Sequence, residues 1–262
     1  MRIIVPIKQV PDMNQVKFDV EGGRVDRSSA GVEINPFDLN ALEAAVQIKE
    51  DVGGTVTAIS MGPHRAESSL RDALARGADN AVLLEDRKFA GADTLATSYT
   101  IAGAIQKLGA FDLIICGEKT VDGDTGQVGP EIAEHLNIPH IAYVSWLEVS
   151  GETIVARCEM GGRAYTVESA FPVLLTVTKD VNVPRLPGFR NKITARKAAV
   201  EIWGTGELSG FADISRCGVR GSPTRVHRVI IPSEENRKGM IFRNTIDEAI
   251  TQIADNLLSR LN

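Results

Sequence analysis

Phe111-Asp112-Leu113-Ile114-Ile115-Cys116 is an apolar run of strand length. Gly117-Glu118-Lys119-Thr120-Val121-Asp122-Gly123-Asp124-Thr125-Gly126-Gln127-Val128-Gly129-Pro130 follows it, and then the helical pattern Glu131-Ile132-Ala133-Glu134-His135-Leu136. A buried strand, a loop with four glycines and a helix, in that order, make the repeating unit of an open α/β sheet. Glycines let successive backbone N–H groups converge, and a helix N-terminus adds partial positive charge, so a phosphate suits this loop. The short polar side chains Asp122, Asp124, Thr125 and Gln127 gather where a strand ends, the edge at which such sheets bind ligands. An irregular loop without a ligand is the competing reading. The stretch is neither a Walker loop, having no Gly-Lys-Ser/Thr, nor a dinucleotide fingerprint, which needs Gly-x-Gly-x-x-Gly after the first strand.

Toward the N-terminus the alternation of strand and helix repeats. Arg2 to Ile7 reads as the first strand, and Val16 to Val20 with Gly23-Arg24-Val25 as a small surface hairpin about Glu21-Gly22. Asn35-Pro36-Phe37-Asp38 opens a helix, with Asn35 suited to capping and Pro36 to the first turn. Thr55 to Met61 is the second strand, and Gly62-Pro63 leads into a helix with Ala66, Leu70, Ala73 and Leu74 on one face, ended by Gly77. Asn80 to Leu84 is the third strand, and Asp93 caps a helix over Thr94 to Leu108. This rhythm predicts a doubly wound, mainly parallel, Rossmann-like α/β sheet covered on both faces.

Beyond Pro139 the pattern changes to short alternating runs, 142–147, 153–158 and 164–169, separated by glycines, which predict antiparallel or edge strands. Val173 to Val177 reads as a further sheet strand with which the sheet ends. Residues 180–191 carry Pro184, Pro187 and Gly188 among charges and build no element of their own. The tail from Ala195 to about Arg237 has little periodicity and ends in a helix over Ile241 to Leu261, so it is expected to pack on another chain.

The composition excludes several classes. With 262 residues, 43% hydrophobic and 24% charged, the chain is an ordinary globular protein able to bury a core. A formal charge of −5 argues against nucleic acid as the main partner. Cys116, Cys158 and Cys217 have no metal-ligand spacing, and His64, His135, His140 and His227 have no ligand-like companions, so neither a zinc site nor a disulfide framework is expected. Strand-like sequence begins at Met1, and nowhere do 18 apolar residues follow one another, so no membrane span and a cytoplasmic location are expected.

Lys8-Gln9-Val10-Pro11-Asp12, Asn35-Pro36-Phe37-Asp38, Met61-Gly62-Pro63, Ala78-Asp79, the Gly117 to Glu131 loop and Pro184-Arg185 through Lys197 together resemble the β (small) subunit of electron transfer flavoprotein. The resemblance is strong from Met1 to Lys197 and weak in the tail. It implies a nucleotide-binding domain over 1–195, including a recognition loop over 183–195. It also implies a C-terminal arm over 196–262 that packs on an α subunit. By position it assigns Pro6, Asn35, Pro36, Phe37, Asp38 and Met61 to the adenosine part of a pocket, where Asn35 as a simple cap and Met61 as core packing are the plainer readings. It assigns Asp122, Gly123, Asp124, Thr125, Gln127, Val128 and Gly129 to the phosphates and counts Gly117 among the cofactor-binding residues. The aspartates are expected to bind their own loop or a ribose rather than face a diphosphate.

Within that family the loop Asp122-Gly123-Asp124 with Val128-Gly129-Pro130, and the run Gly91 to Thr97, resemble the electron-bifurcating members. These hold FAD here, oxidise NADH and divide its electrons between ferredoxin or flavodoxin and a partner dehydrogenase. Thr94 and Thr97 are then placed to donate to a flavin ring. The alternative is the respiratory type, with structural AMP and electrons from acyl-CoA-type dehydrogenases. Phe189 falls where the family inserts an apolar anchor into a partner flavin dehydrogenase, flanked by Arg190 and Lys192; a loop clamped against the α subunit is the alternative. No catalytic side chain is expected, because the cofactor carries the chemistry.

Overall fold

A computed structural model describes residues 1–12, 17–19, 24–26, 31–225, 227 and 245–261. The strands are Arg2–Pro6 (β1), Gln9–Pro11 (β2), Lys17–Asp19 (β3), Arg24–Asp26 (β4), Val32–Ile34 (β5), Thr55–Met61 (β6), Asn80–Leu84 (β7) and Leu113–Gly117 (β8). They continue with His140–Ser150 (β9), Thr153–Met160 (β10), Arg163–Ala170 (β11), Val173–Val177 (β12) and Glu201–Trp203 (β13). The helices are Pro36–Val52 (α1), Glu67–Ala75 (α2), Thr94–Leu108 (α3), Val128–Leu136 (α4), Phe189–Lys197 (α5), Gly218–Gly221 (α6) and Ile246–Leu261 (α7).

Among the described residues β11-β10-β9-β12-β8-β1-β6-β7-β13 form a nine-stranded sheet. From β12 to β13 it is parallel, with Ile4 of β1 opposite Thr57 on one side and Ile114 on the other. The central strands β1 and β8 bury Ile3, Ile4 and Val5 and Leu113 to Cys116 on both sides because both faces are covered. Ile3 and Val5 point into one core with Leu42, Val46 and Leu70 of α1 and α2, whereas Ile4 points into the other with Ile101, Ile105 and Ile132 of α3 and α4. The connections from β1 through β6 to β7 thus run over one face, and those through α3 and α4 over the other. Their divergence leaves a switch-point crevice at the carboxyl ends of β1 and β8.

The doubly wound fold, the bounds of β6, β7, β12 and α3, and the antiparallel β9, β10 and β11 are as expected from sequence. β9 joins the two halves of the sheet: it runs parallel to β12 and antiparallel to β10, with one extra residue at Tyr143, whose φ is 58°. β3 and β4 form a two-stranded sheet, as the hairpin reading requires, although its turn lies outside the described residues.

Several expectations are corrected. β8 starts at Leu113 rather than Phe111, and α4 begins at Val128, because Pro130 is compatible with a first helical turn. The proline-rich connection gives way to α5 at Phe189, whose last turn is capped by Arg71 donating to the carbonyls of Ala195, Arg196 and Ala198. The sheet does not end at Val177: β13 adds to its far edge beside β7, with Ile202 opposite Leu83. Residues 196–225 are not an arm without a core. Trp203, Leu208 and Cys217 complete the core under α3, and burial of the Leu208 side chain alone is worth roughly 1.5–3 kcal/mol.

The first compact unit accordingly runs past residue 195 to His227, and the second comprises Phe18–Arg24 and Arg228–Asn262. The expected start of the last helix, 241–244, lies outside the described residues. Of that second unit, α7 presents Ile246, Ile250, Ile253, Leu257 and Leu258 as an exposed apolar stripe.

Candidate nucleotide site

The loop from Glu118 to Gln127 is held from below by the first turn of α1. Asn35 is fully buried, and its side chain makes no cap hydrogen bond, so its expected capping role is corrected. Its amide Nδ2 instead donates to the Lys119 carbonyl at 2.9 Å, and its Oδ1 accepts from the Val121 N–H at 3.1 Å. One planar amide therefore fixes the loop's entry by both of its faces.

Asp38, one turn on, is also buried; its Oδ2 accepts the Lys8 N–H at 2.8 Å, and the Gly117 N–H and Asn35 side chain bond to it as well. Burial pushes its carboxyl up to about 7, against those hydrogen bonds and the Lys8 charge. Both side chains are thus occupied by other parts of the chain. The close approach requires Gly117: a Cβ there would stand 2.7 Å from Phe37 Cβ and 2.8 Å from its carbonyl carbon.

The loop aspartates find cations. Asp122 pairs with Lys8, whose Nζ lies 2.7 and 2.8 Å from its two oxygens, and Asp124 pairs with Lys119 at 2.8 Å. Sequence reasoning assigned neither lysine a role, although both lie in stretches that it singled out. Asp124 itself has φ 53°, and its N–H donates to the Thr120 carbonyl at 2.8 Å. Gly129 lets α4 sit against the sheet, since a Cβ would lie 2.6 Å from Thr176 Cγ2. Gly123 is different: the nearest atom to a Cβ there is Thr120 Oγ1 at 3.3 Å, and nothing else lies within 4 Å.

The start of α3 stands beside the loop. Asp93 caps it by accepting the Ala96 N–H at 3.0 Å, and the Thr94 hydroxyl lies 3.1 Å from Gln127 Oε1 and 3.2 Å from Glu131 Oε1. Thr97 is half-buried one turn on. Pro6 is buried at the end of β1, Met61 half-buried at the end of β6, Pro36 and Thr125 exposed, and Val128 half-buried in the first turn of α4. Glu131 Oε2 is buried without a partner among the described residues. A glycine-lined loop, the first turn of α4 and lysines within reach fit a phosphate-bearing nucleotide. Among the described residues no group of three or more His, Cys, Asp or Glu is placed to hold a metal ion.

Residues 22–207 match the family described as the electron transfer flavoprotein domain. The chain belongs to the electron transfer flavoprotein family. It is 45% identical over 261 residues to the electron transfer flavoprotein subunit beta of Thermoanaerobacterium thermosaccharolyticum, covering 99% of each chain. It is also 41% identical over 268 residues to protein FixA of Azorhizobium caulinodans, with 100% of this chain and 94% of that one covered. The third likeness is to the caffeyl-CoA reductase-Etf complex subunit CarD of Acetobacterium woodii, 39% over 262 residues, covering 100% of this chain and 98% of that one. Electron transfer flavoprotein β subunits pair with an α subunit, and the family associates with flavin and AMP. Among the described residues no helix is long and apolar enough to cross a membrane.

The stretch resembling this family's recognition loop is braced on one side and bare on the other. Arg185 bonds to Glu43 at 2.8 Å and Glu50 at 2.6 Å, its carbonyl accepts from Arg76, and Asn182 is held by Asn40. Burial raises the Glu43 carboxyl, but the Arg185 hydrogen bonds outweigh it and hold it below the usual range. On this frame Val183, Leu186 and Phe189 are 88%, 86% and 79% exposed, and Arg190 and Lys192 are exposed beside them.

Proposed function

We propose that this chain is the NADH-oxidising subunit of an electron-bifurcating electron transfer flavoprotein, with FAD rather than AMP at the crevice of β1 and β8. When bound there, FAD supplies the two-electron chemistry with NADH and the one-electron transfers onward, to ferredoxin or flavodoxin and, through the α-subunit FAD, to an acyl-CoA-type or other flavin dehydrogenase. The observation that carries this reading is the open side of Gly123 in a loop whose Gln127 already touches Thr94. In this reading a ligand longer than AMP runs past the open side of Gly123 toward the start of α3, where Thr94 and Thr97 lie. The likeness to a subunit of a caffeyl-CoA reductase-Etf complex supports a reductase partner.

In this reading Asp122 to Gly129 surround the phosphates, while Pro6, Met61 and the first turn of α1 shape the adenosine side. Asn35 and Asp38 hold the loop in register. Phe189, Arg190 and Lys192 face the dehydrogenase, residues 228–262 including α7 pack on the α subunit, and the complex works in the cytoplasm. Releasing the nucleotides of the purified heterodimer decides the cofactor: two FAD support the proposal, and one FAD with one AMP overturns it. Protease resistance of residues 228–262 in the chain without its α subunit would overturn their assignment to the partner.

A further inference from the structure

We propose that Lys8 binds the nucleotide phosphate directly, with Asp122 as its standing counter-ion. The inference rests on the crevice being a nucleotide site, and it deepens that reading by naming the group that makes an acidic loop accept an anion.

Lys8 lies two residues beyond β1, and Asp122 lies in the loop that follows β8. These strands are neighbours, and the connections diverge between them, so the Lys8–Asp122 pair spans the crevice in which open α/β sheets bind ligands. The base of the lysine is fixed. Its N–H is held by Asp38 at 2.8 Å, and its carbonyl accepts the Asn35 N–H at 2.9 Å, the two residues that also hold Gly117 and the loop entry. Its side chain remains 46% exposed at the mouth.

Charge demands such a group. Glu118, Asp122, Asp124 and Glu131 surround the loop, and a nucleotide phosphate adds further negative charge. Lys119 is engaged by Asp124 and leans over the Phe37 ring at 5.9 Å. An ammonium carries three N–H donors, of which Asp122 takes two at 2.7 and 2.8 Å. The third serves a phosphate oxygen, so one cation sits between two anions and cancels their repulsion. The ligand class is a nucleoside phosphate, whether AMP or the adenylate half of FAD.

The test uses the heterodimer that keeps its α-subunit flavin and has been stripped of the second nucleotide. It is titrated with AMP and with adenosine, which lacks the phosphate. Lys8→Met should weaken AMP about tenfold or more, as for loss of a charge-assisted hydrogen bond, while adenosine binding changes less than about twofold. Lys8→Arg should retain most of the AMP affinity. The Lys8→Met/Asp122→Asn double variant should still bind AMP more weakly than the unaltered protein, because relieving the aspartate does not replace the phosphate contact. Equal losses for AMP and adenosine, no loss for either, or full recovery in the double variant would each overturn the inference. If the released second nucleotide is AMP, the FAD proposal fails and the role of Lys8 stands.

Discussion

Replacing Gly123 by aspartate tests whether the loop selects the nucleotide. The backbone tolerates the change: φ at Gly123 is not positive, and an added Cβ meets only Thr120 Oγ1 at 3.3 Å. The new carboxylate stands between Asp122 and Asp124, whose charges are already matched by Lys8 and Lys119, so no cation in the loop remains for it. Against a diphosphate ~4 Å away, at an effective dielectric of ~20, it costs about 4 kcal/mol. Gly123 is exposed, so solvent and salt screen roughly half of this, leaving about 2 kcal/mol, or roughly thirtyfold in affinity. AMP has a single phosphate that can shift away, whereas FAD is tied at both ends. Expected, then, is a heterodimer that keeps its α-subunit flavin, loses FAD from the β site and no longer oxidises NADH. The assay counts FAD and AMP per heterodimer after release and follows NADH oxidation on the same sample. Two retained flavins with normal NADH oxidation would refute the reasoning and remove the main support for bifurcation.

Three further outcomes follow from packing and charge. Gly117→Ala should lower stability by about 1–3 kcal/mol and loosen nucleotide binding, since its Cβ strikes Phe37 on α1; an unchanged melting temperature would contradict the close approach. Asp38 has a folded pKa of about 7 against an ordinary value of 3.8, so the folded state holds the extra proton. The contribution of Asp38 to stability should therefore be full below about pH 4 and fall as pH rises toward 7, by an amount on the order of 4 kcal/mol, opposite in sign to that of paired carboxylates such as Glu43. The difference in denaturation free energy between the unaltered protein and Asp38→Asn should show that slope. Phe189→Ala, at a side chain 79% exposed, should leave melting unchanged yet weaken dehydrogenase-dependent flavin reduction by about 2 kcal/mol; equal loss of bound flavin would place the residue in the interior instead.

The sequence alone determined the strand–helix alternation from Arg2 to Leu136, the glycine loop between β8 and α4, the cap at Asp93, and the family. Each is a local pattern: apolar runs, helical spacing and glycine positions report on neighbours along the chain. The tertiary structure decided how distant segments meet. Asn35 is a plausible helix cap by its neighbours, but the fold brings the loop 84 residues away onto its side chain, where the amide satisfies two half-buried backbone groups. Residues 201–203 show little periodicity because a three-residue edge strand is too short for any, and β7 recruits them into the sheet. Lys8 and Asp122 stand 114 residues apart, and only the divergence of the connections at β1 and β8 sets them facing across one crevice. A spacing of that length carries no periodic signal, since such pairs are made by topology rather than by neighbouring residues.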